Sequence, residues 1–254
     1  MTDLMANSPF LLEERIRAYW DRRASAFGEL REAEIESVRR ARWLAEFDAL
    51  LPARSLRILD IGTGTGFFAV LLSSMGHDVL GVDLSPKMIE EARRFAARHA
   101  AVHARFEVMD AMALPFAAES FDAIVTRNLT WTLPDVREAY ALWQRLLVPG
   151  GLLINFDANY GPVSFCACTK ELKEQGVENS HRDITDAELL ECDAIKAALS
   201  VSHETRPAFD VALLTQLGFE DVRADETLSE RIYPDQDETW NPIRMFSLLA
   251  RKAP

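Results

Sequence analysis

From residue 56 onward, short unbroken apolar runs alternate with longer stretches in which apolar residues recur every three or four positions. The unbroken runs are "LRILDIG" (56–62), "HDVLGVD" (77–83), "ARFEVMD" (104–110), "FDAIVTRN" (121–128) and "GLLINFD" (151–157). Runs of that length and composition predict buried strands. Between them, "FFAVLLSSMG" predicts a helix closed by Gly76, and Ser85-Pro86 opens another over "KMIEEARRFAARH". Pro134 and Asp135 open a third helix, to about Leu147. Strand and helix in this alternation predict parallel βαβ units in a doubly wound α/β sheet with helices on both faces.

The flanks read differently. Ser8-Pro9 predicts a helix start, with Leu12, Ile16, Tyr19, Arg23 and Phe27 at helical spacing. A second helix is expected over about 29–50, with Ile35, Val38 and Phe47 facing inward, ended by Pro52. Residues 160–206 contain no obvious strand, and Thr185 with Glu188 forms a possible capping box for a helix through Leu199. A helix near 208–217, a strand "EDVRADETL" and a last strand "IRMFSLLAR" complete the pattern. The expected organisation is an N-terminal helical cap (1–52), a nucleotide-binding core (53–159), an insertion that covers the substrate (160–206) and a segment completing the sheet (207–254).

Composition narrows the function classes. The chain has 254 residues, enough for one large domain with a sizeable core. It has no apolar run of the roughly 18 residues a membrane span needs, and its first 20 residues lack the form of a signal peptide, so the expected location is the cytoplasm. A net charge of −12 argues against nucleic acid as a partner. Cys166, Cys168 and Cys192 form no disulfide framework and lack zinc-site spacing, so no metal is expected. Nothing in the sequence fixes the oligomeric state.

The chemistry gathers at Gly62, Gly64 and Gly66 after the first predicted strand. A dinucleotide fingerprint needs G-x-G-x-x-G, but its third glycine position holds Phe67, and no P-loop lysine follows. Asp60, two residues before the first glycine, would oppose a pyrophosphate at the helix N-terminus. It favours a cofactor carrying an ammonium and a sulfonium, as S-adenosylmethionine does. Asp83, ending the second strand, can accept both ribose hydroxyls, which suits either cofactor.

"ILDIGTGTG", "GVDLSPKMIEEAR", "MDAMALPFAAESFDAIVTRN" and "LLVPGGLL", in this order and spacing, resemble the class I S-adenosylmethionine-dependent methyltransferases, especially the small-molecule branch of the ubiquinone/menaquinone methyltransferases. The resemblance covers about 54–158. It implies a Rossmann-like, seven-stranded, mostly parallel sheet with an antiparallel last strand. It implies S-adenosyl-L-methionine as cofactor and S-adenosyl-L-homocysteine as product. Asp60, Gly62 and Gly64 would hold the methionine end, Asp83 the ribose, and Leu84 would pack on the adenine. Asp110 would accept from the adenine amino group, with Ala111 and Met112 beside it. Arg127 would lie near the methionine part, and Tyr19 and Arg23 would close over its carboxylate.

Acceptor candidates follow the strand ends, where open α/β sheets bind ligands. Asn128 and Trp131 lie past the fourth strand, and Asp157 and Tyr160 past the fifth. Asp157 is a candidate base or ammonium anchor, and His181 a candidate general base. The Asn/Asp-Pro-Pro-Tyr signature of many amino-group methylases is absent, with "RNLTW" in its place. The expectation is methyl transfer to an oxygen, nitrogen or carbon of a small molecule. The rivals are a nicotinamide-dependent oxidoreductase and a non-catalytic S-adenosylmethionine-binding protein.

Overall fold

The computed structural model describes residues 9–177 and 184–254, so Ser8 and His181 lie outside the described residues. The chain begins with α1 (Pro9–Glu36) and α2 (Arg39–Leu50). The core follows as β1 (Arg57–Ile61), α3 (Phe67–Ser74), β2 (Asp78–Asp83), α4 (Pro86–Arg98), β3 (Ala104–Val108), β4 (Phe121–Arg127), α5 (Val136–Leu146) and β5 (Leu147–Ala158). Then come α6 (Phe165–Gln175), α7 (Asp186–Ala197), α8 (Ala208–Gln216), β6 (Phe219–Asp225), α9 (Leu228–Ile232) and β7 (Met245–Lys252). The seven strands form one sheet in the order β3-β2-β1-β4-β5-β7-β6. Strands β1 to β5 pair in parallel, and β7 runs antiparallel to both β5 and β6.

Strand β1 lies inside the sheet between β2 and β4, and its consecutive residues Ile58 and Leu59 are both fully buried. Successive strand residues point to opposite faces, so both faces must be covered. Helix α2 supplies part of that cover. Its Trp43 meets Phe68 of α3 and Phe156 of β5 edge-to-face, at 4.8 and 5.1 Å between ring centroids. Each such pair contributes about 0.5–1.5 kcal/mol beyond its buried area. No helix among the described residues is long and apolar enough to cross a membrane.

The structure corrects the predicted flanks in three places. Helix α1 runs through Gly28 and breaks at residues 37–38, where Ser37 Oγ donates to Glu34 O (2.8 Å) and accepts from Arg39 N–H (3.1 Å). A serine that satisfies both sides of a break makes a stop that apolar spacing does not reveal. Val38, expected inside, sits at that break and is 54% exposed. Helix α6, not predicted, starts where Asp193 of α7 accepts from the N–H groups of Phe165 (2.9 Å) and Cys166 (3.2 Å), a cap supplied from 27 and 28 residues away. The capping box of α7 is present as expected, with Thr185 accepting from Glu188 N–H (3.3 Å) and Glu188 accepting from Thr185 N–H (2.9 Å).

Candidate active site

Two cavities open beside the carboxyl ends of the strands. The first holds about 1090 Å³ including its mouth, and its polar floor is Asp60, Asp83 and Asp110. Gly62 and Gly64 form the turn above it with φ of +67° and +55°. A left-handed backbone favours glycine, and a Cβ at Gly62 would stand 2.7 Å from the Leu129 side chain. The turn is tied down by Asp83, which accepts from Gly64 N–H (2.9 Å) and from Ser85 N–H (2.9 Å). Each carboxylate oxygen keeps a lone pair for a ligand hydroxyl. Asp110 accepts from Met112 N–H (2.9 Å) through one oxygen, with Leu84, Ala111 and Met112 forming the apolar wall beside it.

Asp60 is 1% exposed and accepts from Thr63 Oγ1–H (2.6 Å) and from the Ala69 N–H in the first turn of α3. Burial outweighs both bonds and pushes its carboxyl up to about 7. Burial likewise pushes Asp83 up to about 6, against its two backbone donors. Both carboxylates are therefore poised for a ligand that brings positive charge or hydroxyl donors. Three aspartates on one cavity floor, with Phe67 buried where a third glycine would stand, suit a zwitterionic nucleoside and disfavour a pyrophosphate.

The comparisons agree with this geometry. A family model described as a methyltransferase domain matches residues 58–151. The chain is similar to a demethylmenaquinone methyltransferase of Thermus thermophilus, 38% identical over 109 residues, covering 42% of this chain and 49% of that protein. It is also similar to a ubiquinone biosynthesis O-methyltransferase of Cereibacter sphaeroides, 34% identical over 125 residues, covering 48% and 50%. The chain thus spans about half the length of the curated relatives it matches. The fold is shared with an S-adenosylmethionine-dependent methyltransferase from Aquifex aeolicus, with a TM-score of 0.55 and 15% identity, over 87% of this chain and 93% of that one.

Residues 58–151 thus match a methyltransferase domain, within a chain that has the fold of S-adenosylmethionine-dependent methyltransferases. The residues of the first cavity fit S-adenosyl-L-methionine, the cofactor that the shared fold and the matched domain imply. Asp83 is placed to receive a diol and Asp110 an amino group. Asp60 lies beside the glycine turn where an ammonium would be balanced.

The second cavity lies behind a shared wall. Trp20, Phe27, Arg31, Arg127 and Asn128 line both spaces. Asn128 leaves β4 in a left-handed conformation (φ +53°), which an asparagine tolerates better than most residues. Its N–H donates to Phe156 O (2.8 Å), its carbonyl accepts from Trp131 Nε1–H (2.9 Å), and its Oδ1 accepts from Tyr160 O–H (3.0 Å). Trp131, Tyr160 and Phe165 then pack against one another with ring centroids 4.9 to 5.7 Å apart.

Of the residues singled out in the sequence, Asp60, Gly62, Gly64, Asp83, Leu84 and Asp110 come together in the first cavity, with Ala111, Met112 and Arg127. Tyr19 and Arg23 line the second cavity instead of the first. They face it because α1 passes over α7, where Tyr19 hydrogen-bonds Cys192 and Arg23 lies 3.8 Å from Glu188. Asn128, Trp131 and Tyr160 line the second cavity as expected.

Asp157 lines neither space. It is fully buried, paired with Arg206 (3.0 Å), and accepts from Thr130 Oγ1–H and from the Trp131 and Ala158 N–H groups. The expectation of a base or ammonium anchor is corrected to a fastening role between β5 and α8. Its position at a strand end was read rightly, but its side chain turns to Arg206, 49 residues further on.

Arg127 lines the first cavity, and its side chain is tied down from behind. Its guanidinium donates to Glu34 (2.8 and 3.2 Å) and to Tyr233 O–H. Glu34 also accepts from Arg31, from Trp43 Nε1–H (3.0 Å) and from Tyr233 O–H (3.2 Å). Burial raises the Glu34 carboxyl, but Arg127 and Arg31 outweigh it and hold the group near 2. Arg31 and Glu34 escaped the sequence reading because "ELREAEIE" looks like a solvated helix face.

Proposed function

We propose that this chain binds S-adenosyl-L-methionine in the first cavity and transfers its methyl group to a small molecule in the second. The single observation that carries this reading is the shared wall: the floor of three aspartates lies on one side of Arg31, Arg127 and Asn128, and an aromatic enclosure lies on the other. When bound, the cofactor supplies a methyl carbon already activated by its sulfonium. The protein's task is then mainly alignment, which contributes up to about 7–11 kcal/mol in favourable cases.

The residues divide that task. Asp83 and Asp110 fix the nucleoside, and the glycine turn keeps side chains out of its path. Asp60 balances positive charge, and its raised value lets it release a proton when a cationic ligand arrives. Trp131, Tyr160 and Phe165 form the acceptor's walls and exclude water. Helix α1, through Trp20 and Phe27, covers both ligands at once. Calorimetric titration with S-adenosylmethionine, S-adenosylhomocysteine and NADH tests the reading. Micromolar binding of the first two, weakened by Asp83→Ala, is expected. Binding of NADH alone contradicts it and revives the oxidoreductase. Cofactor binding without S-adenosylhomocysteine release across a panel of aromatic acceptors would favour the non-catalytic rival.

A further inference from the structure

The second cavity carries more positive charge than the protein around it neutralises. Arg31 and Arg127 both face it and both are nearly inaccessible to water, with side chains 9% exposed in each case. Among the described residues they share one carboxylate, Glu34, which is already occupied by four donors. The Nε of Arg127 is buried with no hydrogen-bond partner. Arg23 adds a third guanidinium to the lining, against Glu188. No carboxylate lines the cavity among the described residues. A buried charge of this kind is costly unless something pairs with it.

The walls point the same way. An aromatic enclosure suits either a flat ring or an ammonium. An ammonium would meet unbalanced guanidinium charge and no acid, so the flat ring is favoured. We propose that the second cavity takes a planar aromatic acceptor bound as its anion, an acidic phenol or an aromatic carboxylate, with its ring against Trp131, Tyr160 and Phe165 and its negative oxygen toward Arg31 and Arg127. The ligand's part as acceptor rests on the methyltransferase reading, whereas its charge rests on the cavity alone.

Such a ligand removes the need for a base. Burial holds the Tyr233 hydroxyl and the Cys192 thiol up at about 12, and Tyr19 and Tyr160 higher still. None of these would take a proton near neutrality. An acid that enters ionised leaves its proton in the solvent, and the arginines keep it ionised.

Three probes of similar shape test this on the full chain saturated with S-adenosylhomocysteine, so that the cofactor's own carboxylate is already in place: 4-nitrophenol, 4-nitrobenzoate and neutral 4-nitroaniline. At least one of the two acids is expected to bind about tenfold or more tightly than the aniline, and the one that does identifies the anionic group. If 4-nitrophenol binds, its phenolate absorption should appear about one to three pH units lower than in water. Arg31→Gln should remove the preference, and Arg31→Lys should keep much of it. If Arg31→Gln fails to fold, the acid-to-aniline ratio of the unaltered protein decides. Equal binding of all three, tighter binding of the aniline, or nitrophenol bound in its neutral form overturns the proposal. Acid preference in a protein that does not bind S-adenosylhomocysteine would keep the anion site and remove the methyltransferase reading.

Discussion

The polar floor of the first cavity comes from strand ends: Asp60 is in β1, Asp83 ends β2, and Asp110 follows β3 by two residues. The second cavity is assembled from Tyr19 and Arg31 of α1, Trp131 beyond β4, Phe165 of α6, Cys192 of α7, and Tyr233 and Asn241 near the end of the chain. The floor of the first cavity is made by the sheet, at strand ends that this alternation fixes. The second cavity is made by elements packed over the sheet, whose positions depend on contacts between residues as far apart as Arg39 and Thr239 (2.6 Å). The difference teaches that the polar floor of the first cavity is local in sequence, while the walls of the second are long-range.

The largest effect should fall on neither cavity. Arg206 is buried between Asp157 and Asp210, at 3.0 and 2.8 Å. Arg206→Met leaves two buried acids without their cation and should cost roughly 3–5 kcal/mol of stability, read by chemical denaturation. If stability is kept and cofactor binding is lost, Asp157 has a part in the site after all.

Next, Asp83→Ala should weaken S-adenosylmethionine binding about 10–100-fold by calorimetry, since it removes hydrogen bonds to a charged group and frees the Gly64 N–H. Trp131→Ala should separate the two cavities more finely. It is expected to raise the KM for the acceptor by about tenfold while leaving cofactor affinity within about twofold, because it faces the second space only.

A pH dependence bears on the first cavity alone. In the free protein Asp60 sits near 7 and Asp83 near 6. Their ionised forms hold the cofactor, so affinity should fall as pH drops below about 7, by at most about tenfold per unit for each proton taken up. The sign is reversed for the empty protein. Folded values raised above the ordinary 3.8 mean that the folded state keeps protons the unfolded chain releases. Stability from these two groups should therefore fall as pH climbs from about 4 to about 7. Thermal melts with and without S-adenosylhomocysteine across that range check both signs.

How much was legible follows the same division. The five parallel strands, the glycine turn and the carboxylates of the first cavity could be read because apolar runs fix the strands and ligands bind at their carboxyl ends. Phe67 ruled against a dinucleotide on spacing alone. Arg31, Glu34 and Tyr233 were invisible, since their meaning lies in one another and they are up to 199 residues apart. Asp157 was misread for the same reason, its partner Arg206 being outside any local pattern. Tyr19 and Arg23 were rightly placed on a covering helix, but they line the second cavity and not the first, because sequence does not fix where a helix crosses the sheet.

The central claim is that the two cavities are adjoining sites for two reactants, meeting at Arg31, Arg127 and Asn128. A crystal structure with S-adenosylhomocysteine bound tests it most directly. The account predicts the ribose on Asp83, the adenine beside Asp110, and the sulfur at the shared wall facing Trp131 and Tyr160. A ligand lying in the second cavity, or a sulfur turned away from that wall, would contradict it.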